Sequence, residues 1–372
     1  MKMQNLFEND YYFKDLDFNS ERLNKSDEIN IKKQYSRILK KAREDAKLDN
    51  CYFCGKKCTS FCNSHSVPRF CLENIAVNGE VNYSNKLIKI PTEKEEKGLN
   101  ETGTFRLICR ECDSKIFKDY ENSDNYKEIL SMRILAEIAL KNYLKSISKR
   151  NVEIELYNQI AQIADNSLKM QELCEKQLKN QMDLMEYVEN YNRAKKVLIK
   201  SWNDEYFIIL FKELNYVVPV AFQSNIALIC DLENNIINDI YNESMKYKIE
   251  DIQICIFPLK QKSIVLVFMD SKNKGYRKFY KQFKKLNEKE QLDIINYIVF
   301  AYSEDIFFSK NIGNEITENE NLIKLSKKTS DLLLFNEDMK ENALRKQFSF
   351  DEKDKIPNIL LPEYKIIVKG EN

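Results

Sequence analysis

Apolar side chains recur at three- and four-residue steps between residues 124 and 200. In YKEILSMRILAEIALKNYLKSI, the side chains of Ile129, Met132, Ile134, Leu135, Ile138 and Ala139 share one broad face, the spacing of an amphipathic helix. A second helical stretch begins at Val152, and Asp165-Asn166-Ser167 reads as a break followed by an N-cap. Beyond it Leu168, Leu173, Leu178, Met182, Met185 and Val188 continue the pattern. Residues 123–200 are therefore expected to form a packed helical hairpin. From residue 201 the pattern changes. EYFIILFKEL, YVVPVAFQSNIALICDL and IQICIFPLKQKSIVLVFMD are rich in Ile, Val, Phe and Tyr and bounded by Asn, Lys and Pro, as strands are. LNEKEQLDIINYIVFAYSEDIFFS then reads as helical, so 201–312 is expected to be an α+β domain. Residues 1–50 start irregular and aromatic and end in a charged helix, DEINIKKQYSRILKKAREDAK. Residues 313–372 are charged and poor in periodicity, the pattern of a peripheral C-terminal arm.

Composition narrows the chemistry. The 372 residues carry 59 Lys+Arg against 58 Asp+Glu, a formal charge of +1 that argues against a broadly basic nucleic-acid binder. A single histidine, His65, excludes multi-His metal sites and leaves one candidate for any triad. No Walker A or Gly-rich dinucleotide motif is present, which removes NTPase and dehydrogenase readings. The N-terminal MKMQNLFENDYYF has acids where a signal peptide needs an apolar run. The longest uncharged stretch, Leu214 to Cys230, is interrupted by Asn215, Pro219, Gln223, Ser224 and Asn225, whereas a span needs about 20 predominantly apolar residues. A cytoplasmic location with no membrane contact is expected.

In that compartment clustered cysteines point to metal or redox chemistry rather than disulfides. Seven of the ten fall between Cys51 and Cys112, which sets off 51–122 as a unit of its own. Cys174, Cys230 and Cys255 are scattered and read as buried apolar residues, and Cys71 as packing. Cys51/Cys54 and Cys109/Cys112 are C-x2-C pairs, a spacing that lets two thiolates grip one tetrahedral zinc ion on a tight turn. Gly55 suits the turn of the first pair; the second follows a short apolar strand (Phe105, Leu107, Ile108) and precedes a helix, SKIFKDYEN. Knuckle, hairpin and helix in this order are the arrangement of a treble-clef site with structural Zn²⁺. Two alternatives stay open: a zinc site using Cys58 or Cys62, and an iron–sulfur quartet on Cys51, Cys54, Cys58 and Cys62. Pro91–Gly103 is expected to be a charged loop within an insert near Asn78–Gly103.

Between the pairs lies Ser64-His65-Ser66-Val67-Pro68-Arg69-Phe70. A C-x2-C, a His followed three residues later by Pro, then a strand into C-x2-C and a helix resembles the zinc-stapled form of the HNH (ββα-metal) endonuclease family over residues 51–122. The resemblance implies phosphodiester hydrolysis. His65 would be the general base, Arg69 a phosphate contact and Asp113 a ligand for a catalytic Mg²⁺ or Mn²⁺, with Glu121 as a supplement. It also implies a nucleic-acid partner, DNA ahead of RNA, and a role in bacterial antiviral defence. The helical and C-terminal parts would supply recognition, a protein partner or homo-oligomer contacts. The chain departs from the family pattern at Ser64, where a metal-binding residue usually stands, and at Asp113, where Asn or His is usual. The unit itself holds 11 Lys+Arg and 10 Asp+Glu, no DNA-gripping surplus. The competing function is a non-catalytic zinc module that binds nucleic acid or protein, with His65 structural.

Overall fold

The computed structural model describes residues 25–88, 96–126, 130–162, 167–200, 204–240, 242, 244, 246–327 and 345–368. It is a mixed helix-and-sheet chain built around one seven-stranded antiparallel sheet. Four strands come from the β-type runs: β5 (Tyr206–Leu214), β6 (Val220–Ile226), β7 (Ile252–Pro258) and β8 (Ser263–Asp270); a fifth, β9 (Ile306–Phe308), comes from the end of the stretch read as helical, which is a helix only over Glu288–Tyr302. The other two, β2 (Glu80–Tyr83) and β3 (Glu96–Gly98), come from the insert of the Cys-rich unit. The order is β3-β2-β9-β6-β7-β8-β5.

The central strands are buried on both faces, which is why β7 and β8 read as continuous apolar runs rather than alternating ones. Their alternation sorts the two cores. Ile252, Ile254, Ile256, Val265 and Val267 join a cluster with α7 (Tyr276–Phe283) and α8 (Glu288–Tyr302). Cys255, Phe257, Ile264, Leu266 and Phe268 face the opposite cluster, shared with the Cys-rich unit and the long helices. Helix α8 starts at a reciprocal cap: the Asn287 side chain accepts from the Glu290 N–H at 3.0 Å, and the Glu290 carboxylate accepts from the Asn287 N–H at 2.8 Å.

The helical hairpin consists of α5 (Met132–Ala161) and α6 (Ser167–Lys200), with α1 (Lys25–Asp45) packed on α5. Ser131 caps α5 by accepting from the Ile134 N–H. Ser167 is the first residue of α6; Ile129, Asp165 and Asn166 lie outside the described residues. Helix α5 differs from the one-faced helix expected. Every residue from Ile134 to Leu144 is buried, because the Cys-rich unit and the sheet enclose it as well as α6. Such a helix must find partners for its polar groups, and it does. Asn142 donates to Gln253 at 2.8 Å and accepts from Gln223 at 2.9 Å, while the Glu137 carboxylate accepts the Tyr120 N–H at 2.8 Å.

Three expectations need correction. Glu96–Gly98, within the charged loop expected over 91–103, is an edge strand: Lys310 bridges Glu80 at 3.0 Å and Glu96 at 2.7 Å across it. Residues 91–95 lie outside the described residues. The described part of 313–372 is packed rather than peripheral, with Ile316, Leu322, Phe350, Ile359 and Leu360 buried. Cys174 is exposed, unlike Cys230 and Cys255, because it sits on the outer side of α6. Among the described residues no helix is long and apolar enough to cross a membrane.

Candidate functional site

The first cysteine pair sits on a turn closed by two backbone bonds: the Gly55 N–H donates to the Cys51 carbonyl at 2.8 Å, and the Cys51 N–H to the Lys56 carbonyl at 2.9 Å. Gly55 has φ +72°, a left-handed conformation that glycine adopts without steric cost. The second pair is placed by helix α4 (Arg110–Ile116), with Cys109 at its N-cap position and Cys112 in its first turn. The segment leading in is held from both sides, by Tyr52 N–H to the Leu107 carbonyl at 2.9 Å and Cys62 N–H to the Ile108 carbonyl at 2.8 Å. The Cys109 N–H donates to the Cys51 sulfur at 3.3 Å and so links the two pairs directly.

The four sulfurs of Cys51, Cys54, Cys109 and Cys112 all lie within 4.8 Å of one another. Tetrahedral Zn–S bonds of about 2.3 Å imply sulfur separations of ~3.8 Å, so the donor set fits a metal ion such as zinc. The electrostatics agree. Burial alone would raise the Cys51 thiol, but backbone N–H groups of Cys54, Cys109 and Phe53 bring it down to about 7. Cys112 is pushed up, first by burial and then by the neighbouring sulfurs. Four crowded thiols cannot all ionise without a cation to share. Among the described residues no other group of three or more His, Cys, Asp or Glu side chains brings its ligand atoms this close. Cys58 and Cys62 therefore do not complete a quartet. The Cys58 thiol donates to the Ser60 carbonyl, and the Cys62 thiol is pushed up by burial and by the charge of Asp113.

His65 lies on the two-stranded hairpin of β1 (Ser64–His65) and β4 (Thr104–Phe105), which is antiparallel with His65 opposite Thr104. The turn before β4 is sterically tight. Gly103 has φ +57°, its carbonyl accepts the Ser66 N–H at 2.8 Å, and a Cβ there would stand 2.5 Å from the Phe307 ring. His65 Nε2 is 2.9 Å from the Leu99 carbonyl oxygen. A carbonyl only accepts, so Nε2 carries the hydrogen and Nδ1 keeps its lone pair. Burial holds the ring below its ordinary 6.5; Arg69 and Lys141 add to this, and the Leu99 carbonyl and Asp113 oppose it.

The other expected residues do not converge on His65 as a metal-binding set. Asp113 Oδ1 accepts from Ser64 Oγ at 2.6 Å and from Lys141 Nζ at 3.1 Å. Burial would raise this carboxyl, but the Lys141 ammonium and hydrogen bonds from Ser64, Lys141 and Cys62 hold it below its ordinary value. Glu121, expected to supplement Asp113, instead accepts the Arg69 N–H at 3.2 Å. The Arg69 guanidinium pairs with Glu73 at 2.8 Å on an exposed helix turn of α2 (Arg69–Ile75). Asp119 pairs with Arg133 at 2.9 Å.

Lys141 is the residue that sequence reasoning missed. Its side chain is 1% exposed, and Nζ lies 3.7 Å from the centre of the Phe117 ring. The signal was a charged residue in line with Ile134 and Ile138, at i+7 and i+3 along an apolar stripe. No protein-family model, curated protein or solved structure matches the chain.

Proposed function

We propose that the chain is an HNH-like endonuclease, a zinc-stapled treble-clef unit that hydrolyses phosphodiester bonds in nucleic acid. The observation that carries this reading is the bond between His65 Nε2 and the Leu99 carbonyl. It orients the ring on the hairpin and leaves Nδ1 as the basic nitrogen. Because His65 is held below 6.5, the imidazole is neutral at pH 7, the form that takes a proton from water. The oxygen of that water forms the new bond to phosphorus. The bond from phosphorus to the leaving sugar oxygen breaks, and that oxygen takes up a proton from solvent while His65 later returns its own proton to solvent. Arg69 is the exposed cation near the ring that meets a phosphate, exchanging a surface ion pair with Glu73 worth little to stability.

Zn²⁺ on the four cysteines is structural, since all four positions of its tetrahedron are filled by protein. Mg²⁺ or Mn²⁺ is commonly held by one or two carboxylates together with substrate phosphates. Asp113 is the carboxylate next to the hairpin, and its Oδ1 is already shared by Ser64 and Lys141. These side chains do not fit a preformed divalent site, so no step here runs through one. That engagement of Asp113 favours the second reading, a non-catalytic zinc module for nucleic-acid or protein interaction. DNA is the preferred substrate class over RNA, and a defence role rests on the family resemblance alone.

The pH dependence of cleavage tests the reading. A general base must be unprotonated, so activity is lost as pH falls through the folded-state pKa of His65, which lies below 6.5. The acid limb of kcat/KM is expected below pH 6.5, with full activity at pH 7. An acid limb above 6.5, or none, contradicts His65 as the base.

A further inference from the structure

The long helix α5 lies outside the Cys-rich unit, yet it delivers a buried cation into it. Lys141 Nζ is 3.1 Å from Asp113 Oδ1, and the same oxygen accepts from Ser64 Oγ at 2.6 Å. Ser64 is the residue immediately before His65 on β1. A chain of contacts therefore runs from α5 through α4 to the hairpin strand that bears the candidate base. The cation is enclosed. Its side chain is 1% exposed and packed against the Phe117 ring. On either side along α5, Glu137 holds the Tyr120 N–H and Asn142 bridges Gln223 and Gln253 of the sheet. A buried ammonium is tolerated only with a partner, and Asp113 is that partner.

We propose that Lys141 is a positioning residue for His65, acting through Asp113 and Ser64. The inference rests on the nuclease reading for its functional meaning, and on these contacts for its geometry. Pairing with Lys141 keeps Asp113 from swinging away, so the Ser64 bond clamps β1 to α4. It also balances the negative charge that Asp113 would otherwise present to the ring. The charged groups acting on His65 are Arg69 from α2, Asp113 from α4 and Lys141 from α5. Removing Lys141 leaves an uncompensated carboxylate, which favours the imidazolium; removing the Asp113 charge leaves an uncompensated ammonium, which favours the neutral ring.

His65 is the only histidine of the 372 residues, so this chain labelled with ¹³C-histidine gives one ring signal to titrate. Lys141→Met is expected to move the His65 midpoint up and Asp113→Asn to move it down, relative to wild type. Both substitutions break the same ion pair, so loss of structure alone would move the two midpoints the same way. The double variant Lys141→Met/Asp113→Asn buries no lone charge and keeps a hydrogen-bond acceptor for Ser64. It is expected to fold and to titrate between the single variants, which covers the case where Lys141→Met alone does not fold. Shifts in the same direction, no shift in either variant that folds, or a double variant outside that interval would overturn the proposal. The acid limb of cleavage should follow the midpoints. A wild type that cuts nothing while the midpoints move apart would defeat the nuclease reading and leave the electrostatic coupling standing.

Discussion

Cys109→Ser is expected to strip the metal and unfold the Cys-rich unit, and wild type is expected to carry close to one zinc per chain. The substitution removes the Cys109 sulfur from a position whose backbone groups already tie the two cysteine pairs and α4 together. That sulfur lies in the four-cysteine group, the Cys109 N–H donates to the Cys51 sulfur, and the Cys109 carbonyl accepts the Asp113 N–H at 3.0 Å to start α4. Structural zinc in small units contributes apparent binding free energies of roughly 10–16 kcal/mol at neutral pH, and this is folding free energy because no site exists in the unfolded chain. The thiols are crowded and partly protonated without a cation, with Cys51 at about 7, so protons compete with metal and affinity falls on acidification. Metal analysis and thermal melting check this together. Iron in the wild type, or unchanged zinc in Cys109→Ser, would contradict the assignment. Damage is expected to spread to the sheet, because β2 of the same unit pairs with β3 on one side and with β9 on the other.

His65→Ala is expected to lower cleavage by about 10²–10⁴-fold, the usual effect of losing a positioned general base. Zinc content should be unchanged, because His65 is not among the four cysteines that form the metal cluster. The hydrogen bond to the Leu99 carbonyl is the one contact certain to be lost. Its net worth is about 1 kcal/mol, and the abandoned carbonyl adds a desolvation cost of about 1–3 kcal/mol where water cannot reach it. A modest drop in Tm with a large loss of rate is thus the expected pair of results. A large drop in Tm with a cleavage rate equal to wild type places His65 in the structure and not in the chemistry.

The metal group was legible because its information is local. Two C-x2-C pairs and a glycine declare a tight sulfur-bearing turn wherever they fold. The central strands were legible because burial on both faces writes an unbroken apolar run, as in IQICIFP and SIVLVFMD. What stayed hidden depends on distant partners. EVNY and EKG carry little apolar signal, since EVNY is set by pairing with β9 more than 200 residues away, EKG by pairing with EVNY, and Lys310 bridges the two. Asp113 was legible as a carboxylate at a helix start, but not as the partner of Lys141, because nothing in the local pattern couples positions 28 residues apart across two helices. A lysine on a helix is ordinarily solvated; here the helix is enclosed from Ile134 to Leu144, and that enclosure is a property of the assembled cores.

Nuclease activity is tested most directly by incubating the zinc-loaded 372-residue chain with supercoiled plasmid DNA and with single-stranded RNA. Each substrate is run at pH 7 with Mg²⁺, Mn²⁺ or Ni²⁺ and with an EDTA control, beside His65→Ala. Nicked or linear plasmid is expected with wild type, with RNA cut more slowly and the substrate intact with His65→Ala. Intact DNA and RNA under every ion, with zinc bound and the protein folded, would contradict the nuclease reading and leave the chain as a zinc-stapled binding module.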